Sequence, residues 1–163
     1  MFQPFGGAEN QKHKYSWNRD IPPAQAQEIA NILSEKYHVL QPLHGNQIPL
    51  DNCEHITADI RRIFCLLLMS THLVGIDSCL QHAAKAVIKP ATVCWVTNTP
   101  IVFGYDIHTN IIPPDDVYKK KQSNIDGYFT EYDFVGSREH DYPFKSSDVF
   151  NITEIVEPLM RNN

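Results

Sequence analysis

Four short apolar segments alternate with three helix-like ones over the first two thirds of the chain, and no other feature restricts the fold as much. Met1 to Pro4 is apolar enough for an opening strand, and Gly6-Gly7 stand where it must turn. After a long polar loop, Pro22-Pro23 opens a stretch with apolar residues at helical spacing, Ala24, Ile29, Ile32 and Leu33. His38 to Leu43 is partly β-branched and closes on Gly45-Asn46, as a second strand would. Ile60 to Met69 has the length and apolarity of a buried helix, with Thr57 or Asp59 placed to cap it. Leu73 to Ile76 predicts a strand, alanine-rich Cys79 to Val87 a helix, and Thr92 to Val96 another strand.

These strands are continuous apolar runs rather than in-out alternations, so both faces of their sheet should be covered. Alternation with helices then predicts an α/β fold: a Rossmann-like three-layer domain with a mostly parallel sheet, doubly wound over residues 1 to about 112. Beyond residue 112 the pattern is less regular. Pro113-Pro114-Asp115-Asp116 reads as a turn, Lys119-Lys120-Lys121 as a solvated charge run, Tyr128 to Phe134 as an extended piece, and Asp148 to Met160 as a terminal helix capped by Asp148. The expected organisation is one domain over 1–163, with 113–163 as an extension.

A length of 163 residues suits a single core, and a net charge of -5 provides no general attraction for nucleic acid. Tyrosine and tryptophan are scattered rather than interleaved with arginine, a second argument against a nucleic-acid partner. No apolar run approaches the roughly 18 residues of a membrane span, and the first residues lack a basic, apolar leader, so a soluble, cytoplasmic protein is expected. Cys53, Cys65, Cys79 and Cys94 form no CxxC pair, which predicts free thiols and no metal site. Asp106 and His108 are close in sequence but have no nucleophile at a recognisable spacing, and His55 and His72 are equally available.

In parallel sheets, ligands gather beyond the carboxyl ends of the strands. Three segments should reach that edge. Gly6 and Gly7, with Lys12 or Lys14 further on, could let backbone approach a phosphate and neutralise it, although this loop matches neither the dinucleotide fingerprint nor the Walker A spacing. Asp77 and Ser78 lie between a strand and a helix whose unpaired N–H groups can receive an anion, with Gln81 and His82 in the first turn. Thr97 and Thr99 follow the next strand and carry hydroxyls. No catalytic residue can be assigned, and a small phosphate-ester hydrolase using Asp77 and His82 lacks a nucleophile elbow or a metal cluster.

Phe2-Gln-Pro-Phe-Gly-Gly-Ala, a tryptophan after the polar loop, and Val74-Gly-Ile-Asp-Ser-Cys-Leu-Gln-His-Ala-Ala-Lys-Ala together resemble the carboxyl-terminal half of the heptosyltransferase-like glycosyltransferases, over roughly residues 1 to 105. The resemblance implies one half of a GT-B enzyme, binding a nucleotide-sugar donor and needing no metal or other cofactor. Asp77, Ser78 and His82 would match the family's Asp-Ser/Thr-Gly-x-x-His signature, with Cys79 in place of the glycine; Gly6, Gly7 and Lys12 or Lys14 would meet donor phosphate, and Thr97 would match the loop threonine. The implied reaction inverts the anomeric carbon as the nucleoside diphosphate leaves. The implied partners are an amino-terminal acceptor-binding domain, which would supply the general base, and a glycan or lipid acceptor, with the whole enzyme placed at the inner membrane face. A domain boundary just before Met1 and a chain inactive by itself are expected on the same ground. A non-catalytic Rossmann-like interaction module is the alternative.

Overall fold

The computed structural model describes residues 1–6, 19–96, 98–114 and 149–161. In chain order the elements are β1 (Phe2–Gln3), α1 (Pro23–Ser34), β2 (Leu40–Pro42), β3 (Glu54–Ile56), α2 (Ile60–Met69), β4 (Leu73–Ile76), α3 (Cys79–Ala86), β5 (Ala91–Cys94), α4 (Pro100–Phe103), β6 (Thr109–Ile111) and α5 (Ile152–Arg161). Four strands pair in parallel in the order β1-β4-β5-β6, with Gln3 opposite Gly75 and Ile76 opposite Cys94. The chain is thus α/β with a parallel sheet, as the apolar runs predict.

Both faces of that sheet are buried, and the strands show why. Along β4 and β5, Val74, Ile76 and Cys94 enter a core built with Phe2, Phe5, Ile29 and Leu33 from one side, joined by Phe150 and Ile155. Leu73, Ala91 and Val93 point the other way, into a core with Ile63 and Leu67 of α2 and Leu80 and Ala84 of α3. Successive side chains of a strand alternate between faces, so a run that is apolar at every position must be covered twice.

Several expectations need correction. His38 to Leu43 does yield a strand, but β2 pairs in parallel with β3 in a separate two-stranded sheet rather than in the main one. The strands β3 and β6 have too little local apolar pattern to be expected from sequence, and α4, apolar throughout, has only four residues, too few to show a helical period. In α1 the buried face comprises Gln25, Ala26, Ile29, Ala30 and Leu33, while Ala24 is exposed. The helix α2 is not buried: only Ile63 and Leu67, one turn apart, face the core, and Ile60, Phe64, Leu68 and Met69 are exposed. Asp59 caps it, accepting from the Arg61 and Arg62 N–H groups, so Thr57 is not the cap. The terminal helix starts at Ile152 rather than near 148, with the Asn151 side chain accepting from Thr153 N–H at 3.2 Å. Asp148, Lys119 to Lys121 and Tyr128 to Phe134 lie outside the described residues.

At the amino edge of β4, His72 Nε2 lies 3.0 Å from Thr92 Oγ1. Its pKa is pushed down from 6.5 to about 4, chiefly by burial and then by the nearby terminal ammonium and Lys89. The unfolded chain therefore takes up a proton that the native state refuses, and stability is lost as the pH falls from 6.5 to about 4. Urea midpoints measured across that window should fall in the unaltered chain and fall less in His72→Gln.

Candidate functional site

The carboxyl ends of β1, β4 and β5 lie side by side because these three strands are parallel neighbours. Side-chain hydrogen bonds then tie their loops together. Ser78 Oγ donates to Gln3 Oε1 at 2.6 Å, which joins the end of β4 to β1. Asn98 Nδ2 donates to Asp77 Oδ2 at 2.6 Å, which joins the β5 loop to the same place. Between them α3 begins, with Ser78 as its N-cap accepting from Leu80 N–H at 3.3 Å. Its first turn thus directs backbone N–H groups and the positive end of the helix dipole at the carboxyl edge, where an anion is favoured.

Gln81 extends inward from this turn and is buried. Its Nε2 donates to the Phe103 carbonyl at 3.1 Å and sits 3.4 Å from Asp77 Oδ1. Two acceptors on one side fix which end of the amide faces them. The other end, Oε1, is buried without a hydrogen-bond partner. His82, by contrast, is exposed, and its Nδ1 lies 2.9 Å from the Tyr105 hydroxyl. His108 is buried with Nε2 3.0 Å from the Gln81 carbonyl, and burial holds its pKa below the usual histidine value.

Of the residues singled out from sequence, Asp77, Ser78, Gln81 and His82 are brought to one edge. Gly6 reaches it from β1, but its backbone is already engaged: the N–H donates to buried Asp20 Oδ1 at 2.7 Å and the carbonyl accepts from Gln47 Nε2 at 2.6 Å. Thr99 caps α4 by accepting from Ile101 N–H at 3.3 Å. Gly7, Lys12, Lys14 and Thr97 lie outside the described residues. Asp106 and His108, set aside from sequence as an acid-base pair, form none of the bonds of this edge together: the His108 ring bonds the Gln81 carbonyl of α3. Asn98 comes to the edge with the segment that follows β5, as Thr99 does. Gln3 and Tyr105 carry no sequence signal of a site, since only strand pairing and the return of the chain before β6 bring them to the edge. Among the described residues no group of three or more His, Cys, Asp or Glu could hold a metal ion, and no helix is long and apolar enough to cross a membrane.

No family model and no curated protein match the chain. Among solved structures it is similar to the heptosyltransferase WaaC of E. coli with ADP-2-deoxy-2-fluoro heptose, with a TM-score of 0.55 and 12% sequence identity. The likeness covers 81% of this chain and 42% of that one, so this chain spans less than half the length of the structure it matches. At that identity the likeness concerns the fold.

Proposed function

We propose that this chain is the donor-binding, carboxyl-terminal half of a GT-B glycosyltransferase, holding a nucleotide sugar at the carboxyl edge of its parallel sheet. The observation that carries the reading is the convergence of three chain segments at the start of α3, where Ser78 bonds Gln3 and Asp77 bonds Asn98. The fold shared with the heptosyltransferase supports it.

In this reading the diphosphate lies at the amino end of α3, and the sugar lies toward Asp77 and His82. As the nucleoside diphosphate leaves, negative charge grows where the helix dipole and a loop lysine, Lys12 or Lys14, can stabilise it, so the contribution of this half is electrostatic. No metal or further cofactor is required. A second, amino-terminal half supplies the glycan or lipid acceptor site and the base.

The test is the melting temperature of the chain against ADP, GDP, UDP and CMP and their sugar conjugates. A ligand at about 100 times its Kd stabilises the native state by about 2.7 kcal/mol. For a domain of this size that corresponds to a rise of roughly 5–10 °C. A flat response from the folded chain across the panel would overturn the reading.

One observation favours the interaction-module alternative. The helix α4, immediately beside the site, exposes the adjacent Ile101 and Val102 at 92% and 65%, a larger apolar surface than a single scattered residue presents. Retained partner binding without any nucleotide-dependent stabilisation would select that alternative.

A further inference from the structure

We propose that Tyr105 is a positioning residue for His82, holding its imidazole with the proton on Nδ1 so that the Nε2 lone pair is presented as a hydrogen-bond acceptor for a ligand hydroxyl. The identity of that ligand, the sugar of a nucleotide sugar, rests on the donor-binding reading; the positioning itself does not.

An exposed histidine on a helix is ordinarily free to turn and to exchange tautomers, and which nitrogen carries the proton is set by what the ring meets. His82 meets Tyr105 both through the 2.9 Å contact at Nδ1 and through an edge-on ring contact, with centroids 5.6 Å apart and planes at 89°. Tyr105 is itself held from behind. The ring of His108 packs against it at 5.6 Å and 89°, and Lys85 Nζ lies 5.7 Å from its centroid. The His108 N–H donates to the Tyr105 carbonyl at 3.0 Å, and the His108 ring is anchored on the Gln81 carbonyl. The support therefore leaves α3 at Gln81 and returns to it at His82, the next residue.

The tautomer is set by the neighbours. His82 Nε2 lies 3.5 Å from Gln81 Nε2, an amide nitrogen that can only donate. That distance is too long for a strong bond, yet it settles the sign, because a proton on His82 Nε2 would set two donors against each other. Flipping the Gln81 amide would relieve this only by turning its oxygen toward the Phe103 carbonyl and the Asp77 carboxylate. The proton thus belongs on Nδ1, donated to the Tyr105 oxygen. His108 has the opposite form: its Nε2–H donates to the Gln81 carbonyl, leaving Nδ1 buried and unpartnered. With Asp77 alongside, His82 Nε2 makes this part of the edge rich in acceptors, which suits hydroxyl groups rather than phosphate oxygens.

The experiment is nitrogen-proton correlation NMR of the histidine rings in the full chain without ligand, above the histidine titration range, for the unaltered protein and Tyr105→Phe. His82 should show the Nδ1–H form in the unaltered protein and lose it in Tyr105→Phe, while His108 keeps Nε2–H in both, reporting an intact fold. An Nε2–H form of His82 at the outset, or an Nδ1–H form that persists in Tyr105→Phe, would overturn the proposal. For ligands from the same panel, Tyr105→Phe should weaken a sugar conjugate roughly fivefold and change the matching nucleoside diphosphate by less than about twofold. Equal weakening of both would overturn the hydroxyl assignment. A panel that binds nowhere removes the donor-binding reading and leaves the tautomer result to decide the role of Tyr105.

Discussion

Replacing Trp95 by alanine is expected to lower the stability of the chain by about 3–5 kcal/mol, the range for a large aromatic removed from a core. Trp95 is fully buried, immediately after β5, among Ile63, Leu67, Leu80 and Ala84 of the two helices on that face. Its indole N–H donates to Asn110 Oδ1 at 2.8 Å, and its backbone N–H donates to the Ile111 carbonyl at 2.8 Å. One side chain thus fills the core beneath α2 and α3 and fastens β6 to the sheet. Alanine would keep the backbone bond, open a cavity and leave the Asn110 amide oxygen without its donor. Trp95→Phe separates these effects, since it restores much of the ring volume but not the N–H, and should cost about 1–3 kcal/mol. Urea denaturation followed by far-UV circular dichroism measures both, and a loss below about 1 kcal/mol in Trp95→Ala would contradict the packing account.

The same segment shows why much of the fold is legible in the sequence. Leu73–Ile76 and Ala91–Cys94 are apolar at every position except Gly75 and Thr92, a pattern that only a doubly covered strand requires. Glu54–Ile56 and Thr109–Ile111 are three residues each and mostly polar, and they become strands only because a neighbour offers them a ladder. For α2, ten residues rich in leucine and isoleucine suggest burial, but local apolarity does not say how much of a helix its neighbours cover. Here they cover only the strip through Ile63 and Leu67.

The candidate site divides along the same line. Asp77, Ser78, Gln81 and His82 are legible because a strand followed at once by a helix places them at the carboxyl edge, whatever else the chain does. Gln3 is not, because its role depends on register: pairing of Gln3 with Gly75 brings its amide within reach of Ser78, three residues further along. Tyr105 depends on the turn before β6, whose geometry is set by a buried histidine bonded to another element. Position relative to the nearest strand end is local information, whereas these side-chain partnerships arise only once the strands have paired.

Asp77→Ala is expected to weaken sugar conjugates by roughly 10- to 100-fold while leaving the matching nucleoside diphosphates bound as well as before, or better. The free protein loses only a modest amount, because Asp77 is half-buried and water can replace the carboxylate that accepts from Asn98 at 2.6 Å. In the donor-binding reading the bound state loses more: a carboxylate accepting a sugar hydroxyl makes a charge-assisted bond of about 1.5–3 kcal/mol, which sets the fold-change. The diphosphate responds in the opposite sense. A negative charge beside the first turn of α3 partly offsets the attraction of the helix end for an anion, so its removal favours phosphate. Asp77→Asn keeps an oxygen for Asn98 but not the charge, and should fall between the two for sugar conjugates. Calorimetric titration of each variant with a nucleoside diphosphate and its sugar conjugate reads both arms. Parallel losses for both ligands would reassign Asp77 to holding the loop, and an unchanged affinity for the conjugate in folded Asp77→Ala would remove Asp77 from the binding site.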